Sequence, residues 1–261
     1  MGRENPDRPV KIILSHRGKC LGTVRILAKT ESKRPMKNII EDPRLHNREF
    51  IFADRTEAGS LLGQIVQEKA SPDGLLLAIP SGGVPVAVAM RGHVSWPLEL
   101  LLVRKVQIPW NTEAGFGAVN MDGDRIFNEP LLNSLNLPKE DVDRQVERTI
   151  QTIGQRNELF RGNKPFPEIV DKDIIIVDDG LASGFTMLAA IRFARRRKPS
   201  SITVAVPTGV LDTCNRIAAE VDLLYCLNIR ENYPFAVASA YDNWYDLTDQ
   251  DVLDWLGRSS P

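Results

Sequence analysis

The chain has 261 residues, 43% hydrophobic and 26% charged, with 33 Lys and Arg against 34 Asp and Glu for a net charge of −1. That balance argues against a general nucleic-acid binder, no apolar run approaches a membrane span, and Cys20, Cys214 and Cys226 lack the Cys-x-x-Cys or nearby His spacing that holds zinc. The length suits one α/β domain with additions, and Met1-Gly-Arg-Glu-Asn-Pro-Asp7 has no signal-peptide core, so the expected location is cytoplasmic.

In chain order, Val10-Lys-Ile-Ile-Leu14 and Leu21-Gly-Thr-Val-Arg-Ile-Leu27 flank Arg17-Gly-Lys19, which predicts a β-hairpin followed by a polar linker through Pro43. Residues 1–48 are therefore expected to form an extension to a main domain of residues 49–261. Asp54-Arg-Thr-Glu57 is an acidic cap with a Glu three residues on, and Ala58, Leu61, Leu62, Ile65 and Val66 repeat at helical spacing, so a helix runs from about 54 to 70. Residues 75–79 form a buried strand, 85–90 a helix and 98–103 a second strand. Between the first strand and its helix lies Pro80-Ser-Gly-Gly-Val-Pro85, a tight turn with exposed N–H groups suited to an anion.

Arg104 and Lys105 then close the second strand, and residues 106–115, with Pro109 inside and no clear period, read as an irregular loop. A long polar helix opens at Leu137-Pro-Lys-Glu, with Val142, Val146, Ile150 and Ile153 on one face. Strands follow at 174–178, 202–206 and 223–227 with helices between them, an alternation that implies right-handed crossovers and a doubly wound, mostly parallel sheet. The run Arg195-Arg-Arg-Lys198 closes one helix, where cations favour the C-terminal dipole end.

The densest information lies in residues 173–186. Ile174 to Val177 are β-branched without polar alternation, as in a strand covered on both faces, and Asp178 and Asp179 fall at its carboxyl end, where open α/β sheets bind ligands. Gly180-Leu-Ala-Ser-Gly-Phe-Thr186 then opens a helix whose free N–H groups and dipole suit a phosphate. Two carboxylates beside a phosphate cradle would repel it unless they engaged hydroxyls or a metal. Ribose hydroxyls fit, because they donate well to ionised carboxylates. No Lys precedes Thr186 as in a Walker loop, and the Gly-x-Gly-x-x-Gly fingerprint is absent from this stretch.

Ile174-Ile-Ile-Val-Asp-Asp-Gly-Leu-Ala-Ser-Gly-Phe-Thr186 resembles the phosphoribosyl-pyrophosphate motif of type I phosphoribosyltransferases. The resemblance extends over about residues 52–256, through Ile79-Pro-Ser-Gly-Gly-Val-Pro85, Val103-Arg-Lys105 and Glu113-Ala-Gly-Phe-Gly-Ala-Val119, to a branch whose substrate is unassigned. It implies the type I α/β fold with a small C-terminal hood, and Mg²⁺-assisted transfer of a 5-phosphoribosyl group from phosphoribosyl pyrophosphate to a nucleobase-like acceptor, as in nucleotide salvage. The alternative on the same fold is a non-catalytic phosphoribosyl pyrophosphate or nucleotide sensor.

By that resemblance Asp178 and Asp179 hold the ribose hydroxyls, and Ala182, Ser183, Gly184, Phe185 and Thr186 the 5′-phosphate. Ser81, Gly82, Gly83, Arg104 and Lys105 take the pyrophosphate, and the metal binds through the substrate. Many relatives carry Arg where this chain has Ser81, so one cation of the pattern is missing. Enzymes for 6-oxopurines place an Asp at the position of Ala182, so the chain departs from their pattern. Residues 106–115 correspond to a lid, with Glu113 as acid or base toward the acceptor and Lys105 as the main pyrophosphate contact. Tyr233-Pro-Phe235 and Tyr241-Asp-Asn-Trp-Tyr245 fall in the hood, where an aromatic ring could stack on a planar base. A homodimer, the commonest closed assembly, is expected.

Overall fold

A computed structural model describes residues 11–16, 19–25, 38–231 and 234–258, the first two segments through their backbone pairing. The chain divides into a small unit, residues 1–34, and a larger one, residues 35–261. In the small unit β1 (Lys11–His16) and β2 (Lys19–Arg25) form an antiparallel hairpin, irregular between Ile13 and Ser15.

Residues 38–48 were expected to belong with that extension, but they are built into the larger unit. β3 (Ile39–Ile40) pairs in parallel with β11 (Leu223–Arg230), Asn38 Nδ2 donates to the carbonyls of Ala218 and Val221, and the Asp42 N–H donates to Leu227. Two apolar residues between polar neighbours are too short a run to declare a strand; the edge of β11 selects them.

The main sheet has six parallel strands in the order β3, β11, β10 (Ser201–Val210), β9 (Asp173–Val177), β4 (Gly74–Ala78) and β5 (Leu98–Leu100). Its central strands bury both faces, as their unbroken apolar runs demand. Ile175 and Val177 join Leu76, Ala78 and Leu227 in a core covered by α1 (Arg55–Val66) and α2 (Gly83–Met90). Ile174 and Ile176 join Leu75, Leu77 and Val204 in a second core under α5 (Phe185–Arg195) and α6 (Leu211–Ala218). Helix α1 starts where its cap predicts: the Asp54 carboxylate accepts from the N–H groups of Thr56 and Glu57, and the Glu57 carboxylate accepts from the Ala53 N–H.

The predicted strand over 98–103 is two strands. After β5 the neighbouring β4 has ended, Leu101 making the last bond to Ala78, and the chain leaves the sheet. It continues as β6 (Val103–Ile108) in an antiparallel sheet with β7 (Asn111–Asn120) and β8 (Arg125–Phe127). The predicted irregular loop over 106–115 is therefore mostly hairpin, with Trp110 exposed at its turn. Register shifts on both sides of Gln107 break the polar alternation that would have announced a strand. The long helix is α4 (Lys139–Arg161), capped by Pro138 and burying Val146 and Ile153; the short α3 (Glu129–Leu135) precedes it, and α7 (Asp249–Arg258) ends the fold. Cys214 and Cys226 are buried free thiols. No helix among the described residues is long and apolar enough to cross a membrane.

Candidate active site

A cleft of about 490 Å³ opens beyond the carboxyl ends of β4 and β9, within the size range of small-molecule sites. Ser81 and Gly82 line it from the turn after β4, Asp178 and Asp179 from the end of β9, Thr186 from the first turn of α5, and Arg104 and Lys105 from β6. The two halves of the predicted site therefore meet, although about a hundred residues separate them.

In the turn, the Gly83 N–H donates to Ile79 and the Val84 N–H to Ser81, and the Pro80–Ser81 peptide is cis. Gly83 was expected to contact pyrophosphate, yet its N–H is spent on Ile79, and a Cβ there would stand 2.4 Å from the Val177 carbonyl. Gly83 packs α2 onto β9. Gly82 is the glycine that faces the ligand side: a Cβ on it would lie 1.9 Å from Asp179 Oδ2, so the carboxylate occupies the space a side chain would need.

The adjacent carboxyls are not equivalent. Asp178 Oδ1 accepts from the Asp179 N–H at 2.9 Å, whereas Asp179 Oδ2 accepts from Arg55 Nε at 2.9 Å. Burial, followed by the charge of Asp179, pushes Asp178 well above the usual carboxylate range. Burial also raises Asp179, against the opposing pull of Arg55. The Tyr241 hydroxyl donates to the Asp179 carbonyl at 2.7 Å, and Arg55 Nη1 donates to the Tyr245 carbonyl at 3.0 Å, so the C-terminal segment is tied to the diacid. Trp244 of that segment lines the cleft and lies under the Arg55 guanidinium, 3.8 Å from ring centroid to Cζ.

The phosphate loop is only partly in this cleft. Ala182, Ser183 and Phe185 were expected beside Thr186; they line a neighbouring pocket of about 420 Å³ with Thr213, Arg216 and Phe235. The loop is a wall between the two spaces. Its carbonyls are held from behind, Ala182 by Thr213 Oγ1 at 2.7 Å and Ser183 by Arg216. Leu181 bonds both ways with β10, through Thr208 and Val210. Gly184 caps α5 with φ of 72°, a left-handed conformation that favours glycine. The first-turn N–H groups of α5 have no intrahelical acceptor, as at any helix start, and remain suited to an anion.

Arg104 and Lys105 lie at the beginning of β6, not at the end of a main-sheet strand. Burial, then the nearby Arg156, lowers the pKa of Arg104, with Asp249 opposing. Arg156, three residues after the buried Ile153 on the inward side of α4, also lines the cleft and pairs with Asp249 at 2.6 Å. The cleft thus holds two guanidiniums, with Asp249 paired to Arg156, and they supply charge where Ser81 brings none. Gly115 of β7 leaves room for the Lys105 stem, since a Cβ there would lie 2.1 Å from Lys105 Cγ. Glu113 is on β7 by its backbone; its side chain lies outside the described residues, as does Tyr233.

Sequence reasoning missed Arg55, Arg156, Trp244 as a cleft residue beside Arg55, and Asp246, which also lines the cleft. Arg55 sits between an N-cap and an amphipathic run and reads as ordinary helix, and Arg156 is one of many charges in a long polar helix. A pairing across 124 residues has no local signature.

A phosphoribosyl transferase domain model matches residues 121–238. Two Mycobacterium tuberculosis proteins, from strains CDC 1551 and H37Rv and each named "Putative phosphoribosyl transferase", are 32% identical over 209 residues, 80% of this chain and 47% of theirs. The chain thus spans about half the length of these relatives. Among solved structures, TT1426 from Thermus thermophilus is 28% identical and superposes with a TM-score of 0.64 over 80% of this chain and 99% of that one. With the parallel sheet and the diacid loop, these likenesses define an α/β protein of the type I phosphoribosyltransferase fold. The chain is thus similar to phosphoribosyltransferases over most of its length, with its substrate unassigned.

Proposed function

We propose that the protein transfers a 5-phosphoribosyl group from phosphoribosyl pyrophosphate to a nitrogenous base and releases pyrophosphate. The observation that carries this reading is the convergence of Asp178, Asp179 and Thr186 with Ser81, Gly82, Arg104 and Lys105 on one cleft. The diacid receives the ribose 2′ and 3′ hydroxyls, and the N-terminus of α5 the 5′-phosphate. Arg104, Lys105 and Arg156 face the pyrophosphate. The planar acceptor enters beside Trp244, whose ring offers a stacking surface.

In the reaction the bond from ribose C1 to the pyrophosphate oxygen breaks and a bond from C1 to the acceptor nitrogen forms. The proton the acceptor loses passes to Glu113. The C1 centre becomes oxocarbenium-like, so excluding water while the hairpin of β6 and β7 covers the cleft protects it. The donor set fits Mg²⁺ brought by the substrate: beside the ribose position stand two carboxylates, one already engaged by Arg55, and the ion would keep mostly pyrophosphate and water ligands. When bound it neutralises charge on the departing pyrophosphate.

Ser81, an uncharged residue in the turn expected to hold pyrophosphate, supports the second reading, a sensor that binds phosphoribosyl pyrophosphate without turnover. Purified protein with phosphoribosyl pyrophosphate, Mg²⁺ and a panel of purine and pyrimidine bases separates the two. Base-dependent pyrophosphate release, abolished by chelation, is expected. Binding without release for every base would assign the sensor, and no binding would sink both readings.

A further inference from the structure

Arg55 is 6% exposed, a degree of burial arginine seldom reaches unless paired. It also occupies the first turn of α1, where the helix dipole disfavours a cation. Both placements are unfavourable, so specific contacts must offset them. Three do: Nε to Asp179 Oδ2 at 2.9 Å, Nη1 to the Tyr245 carbonyl at 3.0 Å, and the guanidinium over Trp244 at 3.8 Å. Gly82 closes the remaining side of the Asp179 carboxylate, which leaves it one position.

Two neighbouring carboxyls in a desolvated site tend to share one proton, and either could carry it. A cation fixed to one of them removes that symmetry. Extending the phosphoribosyl reading above, we propose that Arg55 is a positioning residue of the site. Through Asp179 it makes the diacid unequal, with the Asp179 carboxylate held by the guanidinium and Asp178, which accepts from the Asp179 N–H, the member left to the sugar hydroxyls. The same guanidinium joins the diacid to the segment that carries Trp244, so the sugar and acceptor sides of the cleft share one anchor. The groups that face the pair are Arg55 from α1, the Tyr241 hydroxyl and Asp246 from the C-terminal segment, Arg104 and Lys105 from β6, and Arg156 from α4. Arg55 is bonded directly to Asp179 of the pair.

The test begins without ligand. Full-length wild type, R55Q and R55K, labelled with ¹³C at the aspartate carboxyls, are titrated by NMR. In R55Q the Asp179 midpoint should rise by about one unit or more, as expected when an opposite charge in contact is removed. R55K, which keeps the charge, should recover most of that shift. An Asp179 midpoint that is the same in R55Q and wild type overturns the proposal.

Phosphoribosyl pyrophosphate binding is then measured by calorimetry across pH. The pH at which affinity falls to half should rise in R55Q and return in R55K. A uniform loss at all pH values, with the midpoint unmoved and no rescue, would make Arg55 merely structural and overturn the proposal. Should R55Q fail to fold, R55M/D179N is compared with D179N, because removing both members leaves no lone buried charge. Arg55→Met should then shift the Asp178 midpoint by less than the roughly one unit expected for Asp179 in the otherwise unchanged protein; an equal or larger shift would show that Arg55 acts without Asp179 and overturn the proposal. If the wild type does not bind phosphoribosyl pyrophosphate, the functional reading fails, while the ligand-free titrations still decide the role of Arg55.

Discussion

A Cβ on Gly82 would stand 1.9 Å from Asp179 Oδ2. The turn after β4 and the carboxylate after β9 are thus fitted to one another with no space for a methyl group. Asp179 cannot retreat easily, because Arg55 holds the same oxygen at 2.9 Å. Gly82→Ala should therefore weaken phosphoribosyl pyrophosphate binding at least about tenfold, an effect of about 1.4 kcal/mol. It should also cost about 1–3 kcal/mol of stability, as overpacking does. Calorimetric titration and denaturant unfolding check the two effects separately.

Arg104 and Arg156 are expected to share the pyrophosphate. Alanine at either position should raise the pyrophosphate dissociation constant roughly 10- to 100-fold, the range for losing a hydrogen bond to a charged group. Because burial and Arg156 both disfavour the Arg104 charge, Arg104→Met should at the same time raise the melting temperature of the ligand-free protein. An unchanged affinity for pyrophosphate would contradict a role in anion binding.

The diacid gives a pH dependence of defined sign. Asp178 and Asp179 have pKa values raised above those of unfolded carboxylates, so between the unfolded and folded values the native state binds more protons. Stability from this source is fully present below the unfolded value and is lost as pH rises through the folded one. Asp178→Asn should thus be more stable than wild type at neutral pH, with the gain shrinking toward pH 4. The same variant should bind phosphoribosyl pyrophosphate weakly. Unfolding curves at several pH values, with binding measured in parallel, test both.

The proposed reaction gives proton transfer to Glu113. Its backbone lies in β7 in the hairpin that carries Lys105, between the pairs Ile108 with Asn111 and Gln107 with Gly115. Glu113→Gln should lower kcat by about 10²- to 10⁴-fold, the range for a general acid or base. The KM for phosphoribosyl pyrophosphate should change little. Steady-state kinetics with the accepted base decide it, and an unchanged kcat would remove Glu113 from the reaction.

The parallel sheet and the strand-end diacid were legible because their causes are local. A strand buried on both faces needs an unbroken apolar run, which residues 174–177 supply, and the polar groups that follow it must emerge at the sheet's carboxyl edge. The hairpin of β6 and β7 was not legible, since its bulges erase the alternation and its existence depends on the sheet edge ending at Ala78. The attachment of Ile39 and Ile40 to β11 likewise depends on an edge supplied from far along the chain.

By itself, then, the sequence determined a doubly wound sheet with a sugar-phosphate motif at a strand end, through periodicity that each segment carries alone. Tertiary structure decided which side chains meet there. It divided the loop of residues 182–186 between two pockets, turned Gly83 to packing, and brought Arg55, Arg156 and Trp244 to the diacid cleft. The physical reason is that burial pattern is a property of neighbouring residues, whereas the offsetting of buried charge is settled between groups that only chain closure brings within hydrogen-bonding distance.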